Sequence, residues 1–192
     1  MINSVIDYKF YFDKSLSYKT YLEAFQKEMA LGALIEKHEY LPINWQRITR
    51  ISKTMQLIPE IQERLSALNE TRYWLVISEH WCGDAAQTLP VLNKIAENSL
   101  GKIQLGIVYR DANLTLIDAH LTNNSRSIPK LIVLDAQYNV INSWGARTAE
   151  AEALVVKLKS DPDTASTYSE ELHKWYAKDK QVTIQKELLD VL

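Results

Sequence analysis

The feature that most constrains the fold is an alternation of apolar runs and helical segments between residues 73 and 158. A continuous apolar run is typical of a strand covered on both faces, whereas apolar residues spaced three and four apart are typical of a helix. These patterns predict, in order, strand, helix, strand, helix, strand, strand and helix at Tyr73–Ile77, Asp84–Asn98, Ile103–Tyr109, Leu114–Leu121, Leu131–Leu134, Val140–Trp144 and Ala149–Leu158. Since strand–helix–strand units cross over with a right hand, this order predicts an α/β domain with a mixed sheet and helices on both faces.

The segments on either side of this domain have helical spacing. Tyr18, Leu22, Phe25 and Met29 recur on one helix face, and Ser17 is placed to cap that helix. Leu41-Pro42 is expected to interrupt the pattern, and further helices are predicted around Trp45–Met55, from Pro59 to Leu65 and between His173 and Leu192. We therefore predict an N-terminal helical extension (1–70) packed on the central domain (71–160), and a C-terminal helical segment (161–192).

Composition and charge exclude several classes of function. The net charge of −2 gives no general attraction for nucleic acid or for an anionic membrane. No apolar run approaches the roughly 20 residues that a membrane helix needs, and residues 1–7 do not resemble a secretory signal. A single cysteine excludes both an intramolecular disulfide and a cysteine-rich metal site. We expect a cytoplasmic protein without a metal, whose oligomeric state the sequence leaves open.

The segment from Ser78 to Ala85 carries the most informative chemistry, because it joins the first strand of the domain to the first helix. Cys82 lies at the predicted helix N-terminus, where backbone N–H groups and the helix dipole favour the thiolate. A protonated His80 would favour ionisation further, whereas the carboxylates of Glu79 and Asp84 would oppose it. The direction of the net shift in the Cys82 pKa therefore stays open at this point.

Four short motifs in this order resemble the thioredoxin superfamily. Trp81-Cys82-Gly83 matches the start of the family's Trp-Cys-Gly-Pro-Cys motif, and Pro90 falls where the family has a proline in its active-site helix. Ser127–Leu131 is similar to the cis-proline loop, and Trp144–Ala146 is similar to the turn before the last helix. The resemblance covers somewhat under half of the chain and implies a thioredoxin-like fold with an added N-terminal helical extension and a C-terminal helix.

The resemblance also implies roles for individual residues. Cys82 would be the nucleophile, and Trp81 would shape the site beside it. Gly83 would allow close approach of the backbone at the helix start. Ile128, before a cis Pro129, would hydrogen-bond an extended substrate as an added strand does. The alternative for Pro129 is a trans proline that begins an edge strand.

The sequence departs from the family pattern at three positions. Ala85 stands where the family has its resolving cysteine, Asp84 replaces the usual proline, and Val76 occupies the position of a buried acid. A two-cysteine cycle is therefore impossible within this chain, and an external thiol must resolve any mixed disulfide on Cys82. We expect single-thiol exchange with a protein or peptide disulfide, without a bound cofactor but with glutathione or another small thiol as co-substrate. The alternative is a redox-inactive binding module for an extended peptide or protein partner.

Other polar clusters give weaker hypotheses. Arg47 and Arg50, three apart on one predicted helix, would form with Arg126 an anion site suited to a carboxylate-bearing thiol. The alternative is a solvated basic helix face. His80 and Cys82 beside Glu79 lack the second cluster of ligands that a metal site requires. Ordinary surface or helix positions are expected for His38, His120 and His173.

Overall fold

The structure, a computed structural model, describes residues 6–192, so part of the N-terminal segment tested for a secretory signal lies outside the described residues. The strands are β1 (Arg72–Ser78), β2 (Ile103–Tyr109), β3 (Lys130–Leu134) and β4 (Val140–Gly145). The helices are α1 (Tyr8–Asp13), α2 (Tyr18–Leu31), α3 (Leu41–Thr54), α4 (Pro59–Ala67), α5 (Gly83–Glu97), α6 (Leu114–Asp118), α7 (Ala149–Ser160), α8 (Tyr168–Asp179) and α9 (Val182–Leu188). Short 3₁₀ helices occupy Gly32–Leu34, His38–Tyr40 and Leu189–Val191.

The four strands form one mixed sheet in the order β2-β1-β3-β4. β1 runs parallel to β2 and antiparallel to β3, and Val76 in its centre pairs with Ile107 on one side and Leu131 on the other. β3 and β4 form the antiparallel hairpin that the short connection between them predicts. The predicted α/β class and the order of its elements are therefore confirmed.

The N-terminal segment covers the open edge of β2. Leu16 pairs antiparallel with Ile107, and the two residues exchange backbone hydrogen bonds of 2.8 and 2.9 Å. This contact satisfies polar groups that an edge strand otherwise presents to solvent.

The flanking helices share one apolar core with the sheet. Ser17 caps α2 as predicted, since its hydroxyl oxygen accepts from the backbone N–H of Thr20 at 3.1 Å. Phe25, Ile51 and Ile61, from α2, α3 and α4, are fully buried in the cluster that contains the central strands. The predicted break between the first two helices is present from Gly32 to Tyr40, and Leu41-Pro42 begins α3 after it, because a proline in the first turn needs no N–H partner.

The C-terminal segment forms two helices with different neighbours. α8 packs on α7 through a small cluster that includes Val155, Leu172 and Tyr176. Leu188 in α9 and Leu192 belong instead to the main core. α8 also lies against the first residues of α5, so the C-terminal segment contributes directly to the site described next.

Candidate functional site

Cys82 lies in the connection between β1 and α5, and its thiol points towards the loop before β3. Its extended backbone makes it the N-cap of α5, and its sulfur accepts from the N–H of Ala85 at 3.4 Å. The thiol in turn donates to the carbonyl oxygen of Ile128 at 3.3 Å. The fold thus brings together two of the four sequence segments that carried the resemblance.

The proline loop is held by the end of β4. The Ile128–Pro129 peptide bond is cis, as the resemblance implied. Gly145 has φ +118°, and a Cβ there would lie 2.3 Å from the Pro129 carbonyl oxygen, so this position requires glycine. The carbonyl of Ile128 is occupied by the Cys82 thiol, whereas its N–H has no backbone or side-chain acceptor among residues 6–192.

The surroundings of Cys82 oppose its ionisation. Burial, with only 7% of the residue exposed, is the main cause that raises the pKa of the thiol, and the nearby carboxylate of Asp84 raises it further. The backbone N–H groups of Asp84 and Ala85, together with the charge of Arg147, act in the opposite direction but are weaker. The outcome is a pKa raised to about 12, which settles the direction that the sequence left open.

Asp84 is the centre of a buried polar network. Its carboxylate accepts from Arg147 at 2.8 and 2.9 Å and from the hydroxyl of Tyr176 at 2.9 Å. Arg147 also contacts Glu152 at 2.6 Å. Burial raises the pKa of Asp84, and Arg147 counteracts that rise. The network ties the start of α5 to the turn before α7 and to α8.

Glu79 and His80 face away from Cys82. The His80 ring stacks on Phe25, with centroids 4.4 Å apart, and its Nδ1 pairs with Glu28. Burial lowers the pKa of His80 and raises that of Glu79, whose carboxylate accepts from the N–H of Asp111 at 2.9 Å. Neither side chain lines the cleft over the thiol.

A cleft of about 850 Å³ opens over Cys82. Trp81 forms part of its wall, with Lys37 Nζ 4.0 Å and Arg110 Cζ 4.8 Å from the centre of its ring. Gly83, Asp84 and Ile128 also line the cleft, so it gathers most of the residues that the sequence marked. Its cationic side chains are Lys37, Arg47, Arg110, Arg126 and Arg147, and its acidic ones are Asp84 and Glu170.

The proposed arginine cluster is only partly present. Arg47 and Arg126 line the cleft, whereas Arg50 does not. Arg126, at the rim of the cleft, forms a bidentate salt bridge with Asp118 at 2.6 and 2.8 Å. Arg147 is the cleft arginine that sequence reasoning missed, because no local motif marks it and its partner Asp84 is 63 residues away.

His173, expected at an ordinary surface or helix position, lies on α8 and lines the cleft, a placement that the sequence did not indicate. Its Nδ1 contacts the side-chain amide of Gln87 at 3.2 Å, and its Nε2 would lie 2.7 Å from a Cβ placed on Gly83. Burial, followed by the charges of Arg47 and Arg147, lowers the pKa of His173 to about 3. The ring is therefore neutral near pH 7 and packs directly over the start of α5.

Two features are absent from residues 6–192. Between residues 6 and 192, no group of three or more His, Cys, Asp or Glu side chains is placed to hold a metal ion. Within the same range, the structure has no helix with both the length and the apolar content to cross a membrane.

Comparison with known proteins identifies the family. No curated protein matches the chain significantly. A 1.5 Å crystal structure of a protein of unknown function from Pseudomonas aeruginosa is similar to it, with a TM-score of 0.66 and 20% identity over 97% of both chains. An HIV epitope-scaffold is also similar, with a TM-score of 0.64 and 19% identity over 97% of both chains. A family model described as Thioredoxin (Thioredoxin_9) matches residues 35–184. The two similar structures share the fold of this chain. Because the family model matches most of the length of this chain, the chain belongs to the thioredoxin family.

Proposed function

We propose that this protein is a thioredoxin-fold binding protein, and that the cleft over Cys82 receives an extended peptide or a segment of a protein partner. Cys82 is then a protonated thiol that forms the floor of the cleft at neutral pH. The observation that carries this proposal is the position of the sulfur, buried and donating to the carbonyl of Ile128.

The state of the thiol favours binding over catalysis. The thiolate is the nucleophile in disulfide exchange, and buried cysteines in apolar surroundings are inert. With a pKa raised to about 12, the ionised fraction of Cys82 at pH 7 is on the order of one part in 10⁵. The geometry therefore supports the binding module more than the single-thiol exchange centre.

The proline loop supplies the features that peptide docking requires. The N–H of Ile128 has no acceptor in the described part of the chain, so it is free to donate to a backbone carbonyl of a ligand that binds as an added strand. The carbonyl of the same residue becomes available if the Cys82 thiol rotates away. Trp81 offers a rigid aromatic surface beside this backbone.

Single-thiol exchange is the second candidate, favoured by the presence of Cys82 in the cleft wall and of N–H donors at its sulfur. In this reaction the thiolate attacks one sulfur of a substrate disulfide, forms a mixed disulfide and releases the other sulfur as a thiolate. An external thiol, such as glutathione, then attacks the mixed disulfide, is itself joined to the substrate and returns Cys82 to the thiolate.

The rate of Cys82 alkylation by iodoacetamide against pH separates the two candidates. We expect the folded protein to react far more slowly than the urea-unfolded protein at pH 7 to 9, with a higher apparent pKa. The variant Cys82→Ser gives the background rate, since Cys82 is the only cysteine. A folded-state pKa below the roughly 8.5 of free cysteine, together with a mixed disulfide formed from oxidised glutathione, would favour exchange instead.

Peptide docking is tested independently by ¹⁵N–¹H NMR with a pool of hexapeptides. We expect the amide of Ile128 to shift in the wild type and in Cys82→Ala, because the proposed contact needs the backbone and not the sulfur. Unchanged spectra around Ile128 and Trp81 at millimolar peptide would contradict the binding proposal.

A further inference from the structure

We propose that the peptide received by the cleft is acidic, and that one of its side-chain carboxylates binds the guanidinium of Arg47. This inference rests on the proposed function and specifies the chemistry of the ligand. It starts from the charges that surround the cleft and from the partners that each charge already has.

The other cationic side chains of the cleft have partners. Arg147 is paired with Asp84 and Glu152, and Arg126 is paired with Asp118. Arg110 contacts Asp111 at 2.7 Å and lies over Trp81, as does Lys37. Each of these cationic side chains therefore already contacts a carboxylate or an aromatic ring of the protein.

Arg47 differs from these residues. Its guanidinium donates to the neutral amide oxygen of Asn44 at 2.8 Å, and no carboxylate lies within 4.0 Å of it among residues 6–192. It is half-buried, and this burial lowers its pKa, which shows that the charge lacks part of the solvation it would have in water. The two acids of the cleft are occupied, Asp84 by Arg147 and Glu170 by Lys174. An anion from outside is therefore the missing partner.

The guanidinium is also held in place before any ligand arrives. Asn44, which accepts from Arg47, is fully buried and donates from its own amide nitrogen to the backbone carbonyl of His80 at 3.1 Å. This contact ties Arg47 to the loop that carries Trp81 and Cys82. A donor fixed in this way loses less conformational entropy when it binds a carboxylate.

Arg47 is placed so that a carboxylate bound to it can belong to the same peptide that contacts Ile128. A guanidinium nitrogen of Arg47 would lie 3.4 Å from a Cβ on Gly83, the residue after Cys82, and Arg47 lines the same cleft as Ile128. Nε2 of His173 faces the same point, so the ring adds a second polar group beside the guanidinium. The chain as a whole has a net charge of −2, so this positive cleft is a local feature.

An acidic peptide fits these surroundings better than an isolated small anion. Beside Arg47 the cleft has apolar walls from Tyr40, Ile43 and Leu172, and Tyr40 and Ile43 are 49% and 42% exposed. Such walls contact the side chains on either side of an acidic residue. The planar guanidinium matches the two oxygens of a carboxylate in a bidentate pair.

The test uses two fluorescein-labelled hexapeptide pools that are identical except for Glu or Gln at the third position, with Ala, Val, Leu and Ser mixed elsewhere. Fluorescence anisotropy is measured with the wild type, Arg47→Gln and Arg50→Gln. Arg50→Gln is the matched control, since Arg50 lies on the same helix but outside the cleft. We expect the wild type to bind the Glu pool about tenfold more tightly than the Gln pool, as a charge-assisted hydrogen bond provides. This preference should disappear in Arg47→Gln, persist in Arg50→Gln and weaken at high salt.

The outcomes distinguish this inference from the function on which it rests. Equal binding of the two pools by the wild type would overturn the acidic ligand and leave the peptide-binding proposal standing. A Glu preference that survives in Arg47→Gln would overturn the role of Arg47. If neither pool binds and the amide of Ile128 does not shift, both the inference and the proposed function fail.

Discussion

At the scale of single residues, Asp84 has the largest influence on the candidate thiol. It is 7% exposed, and its carboxylate is shared between Arg147 and Tyr176. Its negative charge is the second cause, after burial, that raises the pKa of Cys82. One carboxylate therefore both stabilises the junction of α5, α7 and α8 and keeps the thiol protonated.

The substitution Asp84→Asn separates these two effects. We expect the pKa of Cys82 to fall, because the adjacent negative charge is lost, but to stay above that of free cysteine, because burial persists. We also expect a loss of about 2–4 kcal/mol in the free energy of unfolding, since Arg147 keeps only Glu152 as a partner.

Alkylation against pH and urea unfolding measure these two quantities. Glu150→Gln, which removes an exposed carboxylate from the first turn of α7, is the control and should change neither. A Cys82 pKa that does not move in Asp84→Asn would contradict the assigned electrostatic effect.

The position of Cys82 at a helix N-terminus was predictable from the sequence, whereas the direction of its pKa shift was not. The place of Cys82 at a helix N-terminus follows from the apolar run before it and the helical spacing after it. The pKa of the thiol depends on burial and on Arg147, which reaches Asp84 only through the tertiary fold. A protonated His80 would have favoured ionisation, but its ring enters the core beside Phe25, where burial lowers its pKa.

At the scale of elements, the contact between α8 and α5 closes one side of the site. His173 occupies the space that a side chain at position 83 would need, and a Cβ on Gly83 would lie 2.7 Å from its Nε2. Gly83 is thus required for close approach of the two helices. The resemblance implied close approach of the backbone at the helix start, and the structure identifies the approaching group as the His173 side chain of α8.

A double-mutant cycle tests that contact. We expect Gly83→Ala to cost about 1–3 kcal/mol of unfolding free energy, because the added methyl group displaces His173. In the His173→Ala background the same substitution should cost little, since the obstructing ring is absent and alanine favours a helix over glycine. Urea titration of the four proteins gives the coupling energy, and additive costs would contradict the proposed contact.

The elements with strong periodicity were predicted well, and the weakly patterned ones were not. The bounds of β2 agree at both ends, since most of its residues are apolar and charged or glycine residues flank it on either side. No separate helix was predicted at α1, because it has only six residues and its core-facing side chains, Tyr8, Tyr11 and Phe12, span little more than one turn and are only partly buried. α8 begins five residues earlier than expected, and its N-cap Thr167 makes no side-chain cap bond that would mark the start.

At the scale of the whole molecule, buried histidines couple stability to pH. The pKa of His173 is lowered to about 3 in the fold, against roughly 6.5 in an unfolded chain. Between these values the unfolded state binds a proton that the folded state does not, so stability falls as the pH drops below about 6.5. The lowered pKa values of His80 and His120 act in the same direction, whereas the raised pKa values of Glu79 and Asp84 act against it.

The variant His173→Gln should lose its share of this acid sensitivity. Between pH 7 and pH 5, we expect the wild type to lose about 2 kcal/mol more unfolding free energy than the variant. Gln is polar and does not titrate, while the neighbours Arg47 and Arg147 keep their charges. Urea midpoints at pH 7, 6 and 5 provide the measurement, and parallel pH profiles for the two proteins would refute the effect.

The bridge between Leu16 and Ile107 also affects the order in which the molecule can be assembled during synthesis. The segment around Leu16 leaves the ribosome before its partner in β2, which follows about ninety residues later. At roughly 5–20 residues per second, the delay lasts several seconds. The first segment therefore remains unpaired while α2, α3 and α4 are translated, and it can cover the sheet edge only once β2 has emerged.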